Sequence, residues 1–352
     1  MASATACGYH AMESHFLIMK PLTYRVLKLL AAGDFSSGEI LAETLGVSRG
    51  SVWHSVRELE AAGLEIYRVR GRGYRLRQPL SLLDATEVTR HLGRHARRLT
   101  LELPDSVGST NTLALERAQA NAPSGTVIAA EWQTTGRGRL GRSWQAGIGG
   151  ALTFSMVWRF AQGAGFLSGL SLAAGIALAR ELKTLGVAGA GLKWPNDVVW
   201  RGRKLAGILI EMQGDALGPS CAVIGIGVNV RLSAAVRRRI DQPATDLETA
   251  CGRMLDRNAV LAGVLIELIS VLQAFGREGF APLRAEWQRH HAWQGRTVSV
   301  TLPDGRRESG AVRGVDLDGA LIVAARAGLR RYHSGEVSLR STRPIERGRQ
   351  GA

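Results

Sequence analysis

The chain has 352 residues, 45% of them hydrophobic, enough for more than one packed core, and its formal charge of +15 favours an anionic partner, nucleic acid or nucleotide. Its three cysteines, Cys7, Cys221 and Cys251, lie far apart without a C-x-x-C pair, which argues against a disulfide framework or a zinc site and fits a reducing cytoplasm. No run approaches the roughly 18 uninterrupted apolar residues of a membrane span, and His10, Glu13 and His15 stand where a signal peptide needs an apolar core, so neither spanning nor secretion is expected.

In chain order, residues 1–20 show no periodicity and read as a disordered extension, with Met19 as an alternative start. Residues 21–80 read as one small domain. Three short helices follow one another: one ending at Gly33, one opened by a capping box of Ser36 and Glu39, and one capped by Ser48 after a turn at Gly46. LEIYRVRGRGYRLR then alternates, turns at Gly71 and Gly73 and returns, which predicts a hairpin or wing. Pro79 and the polar residues after it mark a linker. Residues 81–290 mix strands such as TVIAAEWQ, ALTFSMVWRF and CAVIGIGVNV with helices at 169–185 and 261–275, a mixed α/β domain. In 291–341 short apolar runs are separated by the turn signals PDG, DLDG and RAG, which predicts a small β barrel; 342–352 form a loose tail.

TTGRGRLGRSW, Thr134 to Trp144, spells G-x-G-x-x-G after a predicted strand. A dinucleotide fingerprint needs its third glycine to open a helix and an acidic residue about 20 positions on. Gly141 is followed instead by alternating Leu152, Phe154, Met156 and Trp158, a strand, and no Asp or Glu occurs from Trp132 to Arg180. No Lys-Ser or Lys-Thr follows the last glycine, so a P-loop fails as well. What remains is a flexible loop presenting Arg137, Arg139 and Arg142, whose guanidinium groups suit phosphates and carboxylates, or an inert basic loop.

In KWPNDVVWRGRKLAGILIE a Pro195-Asn196-Asp197 turn beside strands would bring Lys193, Asn196, Asp197 and Lys204 to one cleft, suited to chemistry on phosphates; an ordinary hairpin with exposed lysines is the alternative. Asn229 closes the buried strand GIGVN, and Ser109-Thr110-Asn111 clusters small hydrogen-bonding groups that also read as a helix cap.

Taken together, S-T-N, G-R-G-R-x-G-R-x-W, K-W-P-N-D, R-K-L-A-G-I-L and G-x-G-x-N, after a wing and before a terminal stretch ending in G-E-V-S-L-R, resemble the bifunctional biotin protein ligase and biotin operon repressor family over about residues 20–341. The resemblance implies an α+β multidomain protein: a winged helix-turn-helix, a central biotin/lipoate-ligase-like domain and a small SH3-like barrel. It implies that biotin and ATP with Mg²⁺ give biotinyl-5'-AMP and pyrophosphate, and that a lysine of the biotin carboxyl carrier protein of acetyl-CoA carboxylase then takes the biotinyl group. By matching motifs, Ser109, Thr110, Asn111, Gln133, Arg137 and Gly138 would lie along biotin. Arg139 and Lys204 would hold its carboxylate and the phosphate. Trp144, Asn229, Arg142 and Asn196 would contact the nucleotide, and Lys193 and Asp197 would complete the ATP and magnesium side. Asp197 is also the candidate base for the attacking lysine. Departures from the family pattern are Ala151 where asparagine is common, and Leu140 and Ser143 where basic residues are common.

The resemblance also implies operator DNA bound by a homodimer that the adenylate promotes. Arg49, Ser51, His54 and Ser55 open the third helix, and Arg68, Arg70, Arg72, Arg75 and Arg77 crowd the wing with only Glu65 opposing, a pattern that suits phosphates. Two rivals remain at this stage: a biotin-sensing repressor with little ligase activity, and a lipoate-type ligase, which shares a related fold but lacks the G-R-G-R-x-G-R-x-W loop.

Overall fold

The structure, a computed structural model, describes residues 19–214, 218–302, 304–333 and 338–341. Most of the expected extension and the whole of the expected tail lie outside the described residues.

The first unit contains α1 (Pro21–Leu30), α2 (Gly38–Leu45), α3 (Arg49–Ala61) and the hairpin of β1 (Ile66–Val69) with β2 (Gly73–Leu76). Ser48 caps α3, accepting from Ser51 N at 3.0 Å. The cap of α2 is Ser37 rather than Ser36: its hydroxyl accepts from Ile40 N, while the Ser36 backbone pairs with Tyr74 of the wing. Gly46 ends α2 at φ 65°, the left-handed conformation glycine adopts without strain. Val26, Leu27, Leu30, Leu41, Val52, Val56 and Leu59 form its core, which Ile148 and Trp132 of the next unit join.

The central unit opens with α4 (Ala85–Leu92), capped by Asp84, then β3 (Thr100–Glu102), β4 (Ser106–Val107), α5 (Thr110–Gln119), β5 (Thr126–Ala130), β6 (Trp132–Gln133) and β7 (Ala151–Phe160). It continues with α6 (Leu170–Thr184), β8 (Ala190–Lys193), β9 (Asp197–Trp200), β10 (Arg203–Gly214), β11 (Ser220–Asn229), α7 (Ala234–Arg239), α8 (Leu247–Cys251), α9 (Arg257–Glu278) and α10 (Arg284–Arg289). Seven strands form one mixed sheet in the order β3-β5-β7-β11-β10-β9-β8. Alternation gives each strand two faces: Leu152, Phe154 and Met156 point into the core with Ile224, Ile226 and Val228, under α6 and α9. Ala164–Thr184 and Arg257–Glu278 are long and apolar enough to cross a membrane by length and composition; both pack into this core, which explains why they are apolar nearly all round.

The third unit is a five-stranded antiparallel sheet, order β15-β14-β13-β12-β16, from β12 (Thr297–Thr301), β13 (Arg307–Val315), β14 (Leu321–Ala325), β15 (Gly328–Tyr332) and β16 (Ser338–Ser341). Its inward residues Val298, Val300, Val312, Leu321 and Val323 continue the central core.

The stretch after Pro79 reads as a linker, yet it is tightly held. Leu83 N donates to Glu131 Oε2 at 2.9 Å, Asp84 N to Asn258 Oδ1 at 2.8 Å, and Arg257 Nη1 to Ser81 O at 3.0 Å. Arg257 and Glu131, each 1% exposed, form an ion pair at the centre of this clamp. Breaking a buried pair by removing one partner leaves an uncompensated charge. Arg257→Ala is expected to cost about 3–5 kcal/mol of stability in urea unfolding; an unchanged unfolding midpoint would show the pair to be dispensable.

Candidate active site and DNA-binding face

Sheet register builds the site. Lys193 pairs with Asp197, Asp197 with Gly207, Gly207 with Gly227, and Gly227 with Thr153, so five neighbouring strands contribute one row of side chains to one face. In the adjoining row Leu209, Gly225 and Ser155 are opposite one another. The paired glycines leave a trough where side chains would otherwise fill the face. α5 covers the far part of the face through Ala114 and Ala118 against Ile128, Val157 and Val223. The uncovered part is a cavity of about 430 Å³, lined among others by Ser109, Thr110, Asn111, Gln133, Arg137, Gly138, Arg139, Arg142, Trp144, Lys193, Asn196, Asp197, Lys204 and Asn229. All the expected ligase-site residues therefore converge on it.

At one end, small polar groups are wired together. Ser109 is the residue before α5 but makes no side-chain cap. Gln133 Oε1 accepts from Thr110 N and Thr110 Oγ1 at 2.7 and 3.0 Å. Asn111 Nδ2 donates to Glu211 at 2.8 Å, and Ser155 Oγ lies 2.6 Å from Asn111 Oδ1. Glu211 also pairs with Arg137. This end presents fixed neutral donors and acceptors.

The other end is cationic. Asp197 Oδ1 lies 2.7 Å from Lys204 Nζ and its Oδ2 lies 3.5 Å from Lys193 Nζ. Burial first of all, with repulsion from Lys204 adding to it, lowers the proton affinity of Lys193, and Asp197 opposes the shift. Arg139 is also shifted down, chiefly by burial; its Nη1 donates to Asn196 Oδ1 at 3.3 Å. Asn229 is buried at the end of β11, and its amide donates to Thr245 O at 3.0 Å and Lys204 O at 3.4 Å, so it anchors the strand carrying Lys204.

The glycine loop is a closed turn, with no helix of the kind a dinucleotide site requires. Trp144 N donates to Gly136 O at 2.8 Å and Gly138 N to Arg142 O at 2.7 Å; a Cβ on Gly136 would lie 2.7 Å from Trp144 O. Leu140 stands at φ 54°, in the left-handed region, and is exposed. At the base of the loop the Trp144 ring lies on the trough, where a Cβ at Gly227 would come within 2.6 Å of it, and its indole N–H is buried without a partner.

The DNA-binding expectations divide. Arg49 and His54 are exposed on α3, and Ser51 is half-buried beside its cap Ser48. Ser55 is 3% exposed and belongs to the core face of α3, so it is withdrawn as a DNA contact. Trp53, exposed beside His54, is a surface residue the sequence reading passed over. In the wing, Glu65 is not the only opposing acid: Arg68 pairs with Glu60 of α3 and Arg77 with Glu65. Arg72 and Arg75 lie over the Phe35 ring at 4.2 and 4.8 Å. Arg70 is exposed and has no carboxylate partner among the described residues.

Three family profiles cover this arrangement: an HTH domain at residues 23–75, the Biotin/lipoate A/B protein ligase family at 103–229, and the Biotin protein ligase C terminal domain at 295–340. The chain is 37% identical over 317 residues to the bifunctional ligase/repressor BirA of Escherichia coli (strain K12), spanning 90% of this chain and 97% of that one. The chain belongs to the bifunctional biotin ligase/repressor family. The Bacillus subtilis (strain 168) BirA is 30% identical over 88% of this chain and 95% of its own. The biotin protein ligase from Aquifex aeolicus in complex with biotin and ATP is similar in structure, with a TM-score of 0.59, 29% identity, and coverage of 69% of this chain and 99% of that one.

Within this ligase/repressor chain, sequence reasoning missed Ser155, Glu211, Gly207 and Gly225. Gly225, Gly227 and Asn229 recur at every second position, a signal that one strand face is kept open; Glu211 is the lone acid in the strand Arg203–Gly214. Arg239, on the cavity rim, left no signal. The close seat of Trp144 is testable. Gly227→Ala is expected to displace the ring and shift the Trp144 contribution to fluorescence, wild type minus Trp144→Phe, toward longer wavelength. An unaltered difference spectrum would show that the ring does not rest on Gly227.

Proposed function

We propose that this chain activates biotin with MgATP, transfers the biotinyl group to a lysine of the biotin carboxyl carrier protein of acetyl-CoA carboxylase, and represses transcription through its winged helix domain. The observation that carries the ligase reading is the two-ended cavity. A neutral, hydrogen-bonding end formed by Ser109, Thr110, Asn111 and Gln133 suits the ureido head of biotin, with Arg137 and Gly138 along its body, and a cationic end formed by Arg139, Lys193 and Lys204 suits its carboxylate and the nucleotide phosphates.

In the first step a biotin carboxylate oxygen attacks the α-phosphorus, the bond from that phosphorus to the bridging oxygen breaks, and pyrophosphate leaves. Arg139 and Lys204 offset the charge that builds on the oxygens, while Arg142, Asn196 and Lys193 hold the polyphosphate. Trp144 covers the adenine, and Asn229 supports that pocket through Lys204 and Thr245. In the second step the neutral amine of the acceptor lysine attacks the acyl carbon and AMP leaves. Asp197 Oδ2, only loosely held by Lys193 at 3.5 Å, takes the proton. Magnesium would be held by the nucleotide phosphates and would offset part of their charge. The magnesium ligand role expected of Asp197 does not fit its surroundings, because each carboxylate oxygen faces a lysine ammonium group. The ligase of Aquifex aeolicus that holds biotin and ATP supports both ligands here.

Incubation with MgATP, biotin and a carrier domain is expected to add one biotinyl mass, whereas lipoate offered in parallel adds nothing; a lipoyl adduct would reverse the assignment. Arg139→Ala and Lys204→Ala should each slow adenylate formation by about 10- to 100-fold, the equivalent of one charge-assisted hydrogen bond. Asp197→Asn should form adenylate but transfer it slowly, and normal transfer would remove Asp197 as the base.

The repressor reading rests on Arg49 and His54 exposed on α3 and Arg70 and Arg72 exposed in the wing. The operator is a two-fold site, bound by a cytoplasmic homodimer that the adenylate promotes. Arg70→Ala should lower the slope of log affinity against log salt by about 0.9, the loss of one phosphate contact. Ultracentrifugation should show association rising with biotinyl-AMP, and identical profiles with and without it would exclude adenylate control of dimerisation.

A further inference from the structure

The segment that joins α10 to the third unit reaches Lys193 of the active site through one residue that neither the comparisons nor the sequence motifs single out. Where the chain leaves α10 it runs along β8: Leu192 N donates to His290 O at 2.7 Å and Ala292 N to Leu192 O at 2.9 Å. Gly191 permits this approach, since a Cβ there would lie 2.9 Å from the Ala292 Cβ. The pairing places Trp293, 6% exposed, beside Lys193, with the Lys193 ammonium 4.7 Å from the centre of the indole ring.

Lys193 needs such a support. The only carboxylate in its row, Asp197, is engaged at 2.7 Å by Lys204 and stands 3.5 Å from Lys193, so the ion pair alone fixes Lys204 far better than Lys193. An aromatic face attracts an ammonium ion without supplying an oxygen acceptor, and so it can restrain the group while leaving its donors available to an anion. The segment is itself rigid: His291 is 7% exposed, its ring centre is 4.5 Å from that of Trp287, and the turn before Asp197 is tied to the third unit by Trp194 Nε1 donating to Gly319 O at 3.1 Å.

We infer that Trp293 is a positioning residue: its indole face holds the Lys193 ammonium over the cationic end of the cavity, aimed at the phosphates of ATP. The inference rests on the assignment of Lys193 to the ATP side.

The test is steady-state kinetics on the full-length protein with ATP and biotin varied separately, for Trp293→Leu, Trp293→Phe, Lys193→Met and the Leu/Met double variant, each with its thermal midpoint. Trp293→Leu should raise KM for ATP about tenfold, within the range of a desolvated cation–π contact, and leave KM for biotin unchanged. Trp293→Phe, which keeps an aromatic face, should restore most of the loss. In the Lys193→Met background, Trp293→Leu should add nothing. Full additivity of the two changes, or equal rises in both KM values that Trp293→Phe does not relieve, would reduce Trp293 to a core residue and overturn the inference while leaving the ATP assignment intact. An unchanged KM for ATP in Lys193→Met would overturn that assignment as well.

Discussion

Everything near the cavity hangs from a charge pair buried where water does not reach. Glu131 lies between β5 and β6, two residues before Gln133, and Arg257 opens α9. Their charges are balanced by each other and by backbone: Leu83 N and Gly149 N donate to the glutamate, and the arginine donates to Ser81 O and Ala151 O. A buried ion pair contributes less than its short contacts suggest, because both ions lose hydration, but it specifies geometry strongly. Here it fixes four backbone points on three segments: the linker from the winged helix, the loop leading out of Trp144, and the start of β7. Ala151, the departure from the family's asparagine, is one of these points, and it is held by its carbonyl, which any residue supplies.

The same pair joins the two functional halves. Gln133 at the cavity and Trp132 against the winged helix core are successive residues after Glu131. On the other side, Asn229 in the cavity is followed two residues later by Arg231, which donates to Pro79 O at 3.1 Å and pairs with Glu248. Pocket and domain contact are thus adjacent residues at Gln133 and Trp132, and pocket and linker contact are two residues apart at Asn229 and Arg231. At Trp132 and Gln133 alternation makes this possible: neighbouring residues of an extended chain face opposite ways, so one strand serves a pocket and a domain contact at once.

Much of this was legible in the sequence because it lies in local pattern. Ser48 and Gly46 announce a helix boundary, the strand after Gly141 and the missing acid dispose of the dinucleotide reading, and the ordered motifs carry the family. What escaped depends on three-dimensional register. Ser36 lost its cap to Ser37 because its backbone is taken by Tyr74, a pairing between residues far apart in sequence. Ser55 lies only one position beyond His54, and the helical turn of roughly 100° per residue carries it from the exposed face of α3 to the core. Glu60 neutralises Arg68 from a neighbouring element, which no count of charges within the hairpin reveals. The row from Lys193 to Thr153 is likewise invisible until five strands are aligned.

The cavity at the end of that row is electrically incomplete. Six cations line it, Arg137, Arg139, Arg142, Lys193, Lys204 and Arg239, against the carboxylates of Asp197 and Asp241. Glu211 answers Arg137 from the neutral end, and Asp197 is shared by two lysines. The downward shifts of Arg139 and Lys193 record the cost of holding such groups partly dehydrated and close together. Sheet register holds Lys193, Asp197 and Lys204 on neighbouring strands in spite of that repulsion. A polyanion entering the trough meets donors already turned toward it and relieves the repulsion, so interaction energy goes into charge stabilisation instead of rearrangement. The glycines at 207, 225 and 227 are the geometric half of this arrangement: without side chains there, Lys204 and Trp144 lie down over Gly207, Trp144 over Gly227, and Asn111 over Gly225.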